Sequence, residues 1–334
     1  MKTISKLIKV TLVALLFVVS SCSNDDDGGS SIPNIVELAQ SSPNLTSLVA
    51  ALEKADLVTT LQSGGAYTVL APDNDAFGRA LTTLGFASLD EIDTPEEIAA
   101  LRNILLNHVI SGTIISAQIN TGYGSTLATN ADGDNLSIYL KSDNNGVSFN
   151  GMSEVTAADL PASNGVVHVV DEVILPPTVV TFATADSNFS SLVAALTRSD
   201  QPAFADILAR TEGANNDGFD PDFTVFAPTD EAFASLIDSN PSWNSLEDID
   251  GALLTSVLLH HVKDEANIRS GDLTDGISPT MLEGSITINL PGDDGNPAKI
   301  TDGAGNMNIA VIAVDVQAVN GVIHVIAEVM IPAS

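Results

Sequence analysis

The chain has 334 residues, enough for two folded bodies of ordinary size. Its 43 acidic against 12 basic side chains give a formal charge of −31, and only 4% of residues are aromatic. So acidic a chain is repelled by nucleic acid, which is excluded as a partner, and its core must be built from Val, Ile, Leu and Ala.

At the start, Lys2, Lys6 and Lys9 accompany the apolar run LIKVTLVALLFVVS, which ends in small residues. This is the pattern of a secretory signal, predicted over residues 1–21 and left out of the fold. The one cysteine, Cys22, follows directly, and it can form no intramolecular disulfide. VSSC resembles a bacterial lipobox, in which the cysteine is acylated and becomes the new N-terminus, so Cys22 is the expected lipidation site. SNDDDGGSS cannot bury apolar surface and reads as a flexible acidic tether over residues 22–32. Its acidic run resembles the export signal of lipoproteins displayed on the outer face of the outer membrane. The expected location is therefore the cell envelope, lipid-anchored to the outer membrane and surface-exposed.

Beyond the tether the chain repeats itself. NLTSLVAAL (44–52) returns as NFSSLVAAL (188–196), TVLAPDNDAF (68–77) as TVFAPTDEAF (224–233), and LLNHV (105–109) as LLHHV (258–262). NGVVHVVDEVILP (164–176) returns as NGVIHVIAEVMIP (320–332). The first pair is offset by 144 residues and the second by 156, so the second copy has gained 12 residues between them. Four blocks in one order exclude a short solenoid repeat and define two domains, 33–176 and 177–334, divided at Pro176-Pro177.

Within each copy the periods define an α+β domain. Leu45, Leu48, Val49 and Leu52 recur at helical spacing, with Asn44 or Thr46 as the expected cap. TVLAP reads as a buried strand ending at Pro72, and Asp73 and Asp75 place negative charge at the start of the next helix. IAALRNILLNHVI and GALLTSVLLHHV read as a further helix. LSIYL, VSFN, SITINL and AKIT read as strands, and Asn164-Gly165 and Asn320-Gly321 as hairpin turns.

These blocks resemble the fasciclin domain family. TVLAPDNDAF and TVFAPTDEAF are similar to its first signature, and NGVVHVVDEVILP and NGVIHVIAEVMIP to its second. LLNHV and LLHHV stand where the family carries an aromatic–histidine pair. The resemblance implies two tandem β-sandwich wedges, each wrapped by α-helices, a role in cell adhesion or matrix association, and no catalytic centre or cofactor. Its partners would be an extracellular protein or polysaccharide, with the membrane reached through the N-terminal lipid. Integrin recognition, linked to a tyrosine before the central histidine, is not implied, because Asn107 and His260 stand there. Both should then tolerate substitution without loss of adhesion. An alternative function is a non-catalytic ligand- or glycan-binding accessory of an uptake system.

The five histidines, 108, 168, 260, 261 and 324, lie near apolar helix faces or in valine-rich strands, and the expectation is burial with hydrogen bonds to backbone. They show no HxH or HExxH spacing, and the chain has no GxSxG motif, so neither a metal site nor a serine hydrolase is expected. DGDN (132–135), NNDGFDPD (215–222) and GDDGN (292–296) place carboxylates in loops without EF-hand spacing, and solvated turns are expected there.

Overall fold

The computed structural model describes residues 32–213, 215 and 219–333. The signal segment, Cys22 and the tether up to residue 31 lie outside them, as does part of the NNDGFDPD loop.

The first half runs α1 (Ile35–Ser41), α2 (Thr46–Lys54), α3 (Val58–Gln62), β1 (Tyr67–Pro72), α4 (Asn74–Leu84), α5 (Pro95–Leu106) and β2 (Val109–Ser111). Five strands follow: β3 (Gly122–Thr129), β4 (Asn135–Asp143), β5 (Gly146–Phe149), β6 (Ser153–Ala162) and β7 (Gly165–Val170). The second half repeats this as α6 (Val179–Ala185), α7 (Ser190–Thr197), α8 (Phe204–Leu208), β8 (Phe223–Pro228), α9 (Asp230–Asp238) and α10 (Gly251–His260). It ends with β9 (Val262–Lys263), β10 (Thr287–Asn289), β11 (Ala298–Thr301), β12 (Ile309–Ala318) and β13 (Gly321–Ile326).

Strands β1 to β7 are joined in sequence order and close on themselves through a parallel β1–β7 pairing. The second half has the order β10-β11-β12-β13-β8-β9, again with a parallel pair, β8 and β13. Alternation along each first-signature strand separates two apolar layers. Val69 and Ala71 face a core shared with the helices, whereas Leu70 joins Ile138, Phe149 and Val170 between the strands. Val225 and Ala227 against Phe226 repeat the division in the second half. This is the α+β arrangement expected from the sequence: strand layers with their own filling, wrapped on one side by helices.

The repeated ten-mer connects two helices in each copy. Asp73 caps α4 by accepting the Ala76 amide at 2.8 Å, and Thr229 caps α9 through the Ala232 amide at 3.3 Å. The next residue reaches back to the preceding helix pair. Asn74 Oδ1 accepts the Ser47 amide at 2.9 Å, and Asp230 Oδ1 accepts that of Ser191 at 2.6 Å. The cap expected at Asn44 or Thr46 is therefore not local. Leu45 occupies the cap position without a side-chain bond, and Asn74 supplies the acceptor from 27 residues away.

The second signature supplies the matching end. Asn164 Oδ1 accepts the Ile35 amide at 2.9 Å and its Nδ2 donates to the Leu61 carbonyl at 2.7 Å, tying α1 and α3 to the β6–β7 hairpin. Asn320 does the same with Val179 at 3.0 Å and Leu208 at 2.8 Å. Gly165 and Gly321 sit at φ +153° directly against the parallel neighbour. A Cβ on Gly165 would lie 2.0 Å from the Tyr67 carbonyl oxygen, so the close strand approach demands glycine.

One strand was not legible as such. β3, GYGSTLAT, carries two glycines and little apolar alternation, yet it pairs with β2 and β4. Residues 276–286 take its place in the second half with isolated bonds: Gly276 to Ile288 at 2.8 Å and Leu282 to Val262 at 2.8 Å. Pro279 lies within this run and donates no ladder bond.

Gly321→Ala should be among the most damaging single-methyl additions in this chain, because the new carbon would meet the Phe223 carbonyl oxygen at 2.1 Å. Urea unfolding should report a loss of at least about 3 kcal/mol. A loss below about 1 kcal/mol would show that the two strands can part without cost.

Candidate functional site

All five histidines are buried. His108 follows the last turn of α5, donates from Nδ1 to the Ile104 carbonyl and accepts the Ile174 amide at Nε2, both at 2.8 Å. His261 repeats this after α10, with Val257 at 2.7 Å and Met330 at 2.9 Å. Each ring thus fastens the end of a helix to the strand-like segment that closes the second signature, after β7 or β13. Burial pushes both rings down to about 4, well below the ordinary histidine value, so they stand neutral. His168 bridges the Asp159 amide at 3.1 Å and the Ile114 carbonyl at 2.9 Å. His324 keeps only the second of these bonds, to Ile268 at 2.8 Å, and its Nδ1 has no partner. His260 spans the Glu283 carbonyl and, at 3.2 Å, the Gly303 amide. Rings committed in this way hold backbone in place. Among the described residues, no group of three or more His, Cys, Asp or Glu side chains is placed to hold a metal ion.

Asn107 and His260 were expected to tolerate substitution, and their surroundings contradict that. Asn107 is fully buried, donating to the Ile174 carbonyl at 3.0 Å and accepting from Thr126 Oγ1 at 3.1 Å. His260 is equally buried. Replacing either orphans interior backbone groups, so any loss of binding would follow from loss of fold.

The densest polar chemistry lies where the two halves meet. Asp186, just after α6 and 5% exposed, accepts from Tyr123 of β3 at 3.0 Å and from Tyr139 of β4 at 3.4 Å. The same carboxylate accepts the Asn188 amide at 3.0 Å, which opens the turn into α7. The two tyrosine rings lie 5.1 Å apart, and Tyr123 meets Phe182 edge-on at 5.5 Å. Burial first, and then the neighbouring carboxylate, push both phenols upward, Tyr139 to about 12. Nearby, Ser137 Oγ accepts the Gln317 amide at 2.9 Å, joining β4 to β12.

Of the acidic loops, DGDN is no mere solvated turn. Asp134 forms an ion pair with Arg269 across the seam and accepts from Asn267 at 3.3 Å. Asp132, Asp134, Asp272 and Asp315 line an open cleft there with Arg269, Asn267 and Ser270. Asp315 accepts from both the backbone and the hydroxyl of Ser270, as Asp159 does from Ser116 in the first half. In GDDGN, Asp293 pairs with Lys299 at 2.8 Å. The middle of NNDGFDPD lies outside the described residues.

The model of the fasciclin domain matches residues 43–176 and again 187–332. The chain belongs to the fasciclin domain family. Among relatives, Protein sll1483 from Synechocystis is 39% identical over 48% of this chain and 80% of its own length. Cell surface glycolipoprotein MPB83 of Mycobacterium bovis is 31% identical over 43% of this chain and 60% of its own length. Human periostin is 26% identical over 70% of this chain, which spans only 24% of periostin. Among solved structures, a domain pair from the insect cell adhesion molecule Fasciclin I aligns with a TM-score of 0.49 at 20% identity. That alignment covers 84% of this chain and 96% of that one.

In both fasciclin domains the central histidine is thus a helix-to-strand fastener, whereas the contact between the domains is made by residues that the two copies do not share. Sequence reading passed over Tyr123, Tyr139 and Asp186. The one available signal was an aspartate at the position equivalent to Ser42 in the first copy.

Two measurements follow. Tyr123→Phe removes one donor from a buried carboxylate and should cost about 1–3 kcal/mol by urea unfolding. No loss would mean that the carboxylate is solvated. For His108 and His261, folded values below the unfolded one near 6.5 mean that the unfolded chain binds protons first as pH falls. The stability is present above about 6.5 and is lost toward about 4, at about 1.4 kcal/mol per pH unit for each ring. Subtracting the pH profile of His261→Gln from that of the parent isolates one ring. A flat difference between pH 6.5 and 4.5 would contradict the neutral burial.

Proposed function

We propose that this is a lipid-anchored, surface-displayed adhesion protein of the cell envelope. On this reading, residues 1–21 direct export and Cys22 carries the lipid. Residues 22–32 form a tether, and fasciclin domains 33–176 and 177–334 bind an extracellular protein or polysaccharide without catalysis. The observation that carries it is the pairing of tandem fasciclin domains with a lipobox-like VSSC, in a chain related to a protein named a cell surface glycolipoprotein. A single acyl chain holds a protein only marginally, so firm attachment to the outer membrane would need the several chains of a mature lipoprotein. The acidic surface favours neutral or cationic partners over polyanions. Weak sites on many anchored copies would reinforce one another through effective concentration.

The cleft at Arg269 supports a second reading, a ligand- or glycan-binding accessory of an uptake system, because hydroxyl-rich ligands are held by carboxylates, amides and a planar guanidinium.

Cells expressing the parent chain should adhere to a matrix or glycan surface more strongly than a deletion strain. Cys22→Ser should abolish both membrane fractionation and that gain, and mass spectrometry should find acylated Cys22 at the mature N-terminus. Adhesion unchanged on deletion would remove the main reading, and an unmodified Cys22 would remove its anchor.

A further inference from the structure

The two domains fill the same niche differently. In the first, Val36, Ala39 and Leu52 of α1 and α2 are 0%, 3% and 3% exposed. Their counterparts in the second, Val180, Ala183 and Leu196, are only half-buried and line a cavity of about 60 Å³ among α6, α7 and α8. The difference has a local cause. In the first domain a tight turn, with Asp56 at φ +52°, brings the Leu57 amide onto the Leu52 carbonyl at 2.9 Å and swings α3 against α1. In the second, the chain leaves α7 extended at Arg198 and re-enters at α8 only with Phe204. Phe204 and Leu208 repeat the spacing of Leu57 and Leu61, so Ala205 stands where the first domain has Val58. At the mouth, Thr184 and Thr197 replace Gln40 and Glu53.

No polar group is free to serve an occupant. The Thr184 hydroxyl donates to the Val180 carbonyl at 2.9 Å, and that of Thr197 to Val193 at 2.8 Å. His261, on the floor, is neutral and has both nitrogens engaged. Water needs two to four polar partners and finds none here, so the cavity favours an apolar group. Since a cavity of roughly 150 Å³ takes the six carbons of benzene, one of about 60 Å³ takes about two to three carbons. In the first domain the chain's own aliphatic side chains seal the niche, and this identifies the chemistry of the missing filler. The chain's large negative charge argues against an anionic head group.

We propose that the niche among α6, α7 and α8 takes the end of a straight aliphatic chain carried by an uncharged amphiphile. The site belongs to the second fasciclin domain alone.

The test is methyl-detected NMR of the full chain titrated with methanol, ethanol, n-propanol and n-butanol. The Val180 and Leu196 methyls should shift saturably while those of Val36 and Leu52 stay put. Each added methylene should lower the half-saturating concentration about fourfold until the cavity is full. Ala205→Val should weaken saturation at least tenfold. Val58→Ala, which opens the sealed niche, should make Val36 and Leu52 respond, and it keeps the test decisive if Ala205→Val folds poorly. Equal responses in both domains, no saturable shift with any of the alcohols, or parental half-saturation in Ala205→Val would overturn the proposal.

Discussion

The structure depends on one contact made twice: the parallel pairing of the first-signature strand with the second-signature strand. β1 meets β7 from Tyr67↔Gly165 to Pro72↔Val170, and β8 meets β13 over the same six positions. Each pairing joins strands about 100 residues apart, so loop-closure entropy opposes it and side chains must secure its ends. The asparagine before the glycine binds the helices at one end. At the other, the residue after the repeated proline, Pro72 or Pro228, caps the next helix, and its neighbour reaches back to the preceding pair. The strand histidines then hold the long connection from β2 to β3, and from β9 to β10, against the sheet.

Carboxylates do much of this fastening, which gives the acidity of the chain a structural meaning. Asp159 sits below the usual carboxylate range because the Ser116 hydroxyl and amide donate to it, and Asp248 is lowered first by the Asn244 amide. Glu97 is lowered chiefly by the Thr94 amide in a capping box. A charged oxygen accepting backbone N–H groups stabilises turns without needing a cation beside it. In this way Asp159, Asp248 and Glu97 contribute to the fold without a matching base.

Much of the fold was legible because it is local. The helix period of NLTSLVAAL, the buried run TVLAP with its terminal proline, and the Asn-Gly hairpins all encode themselves within ten residues. What stayed hidden was non-local. The acceptor for α2 lies on α4, and β3 is a strand only because β2 and β4 flank it. The burial of Asn107 comes from carbonyls that arrive 67 and 68 residues later. The seam was least visible, since Tyr123 and Tyr139 each read as one more residue of a strand-rich half until Asp186 is placed between them.

That seam is also head-to-tail: strands of the first domain grip the helical end of the second and its strand β12. Among near-identical repeats, such a heterologous contact has no intrinsic stop and can propagate from molecule to molecule as an open filament. Here each outer end lacks its half of the lock. The second domain presents Asn289 where the first presents Tyr139, and the first presents Ser42 where the second presents Asp186. The two outer ends therefore do not form this lock with each other, so the seam is not one that a second molecule can extend through the same side chains.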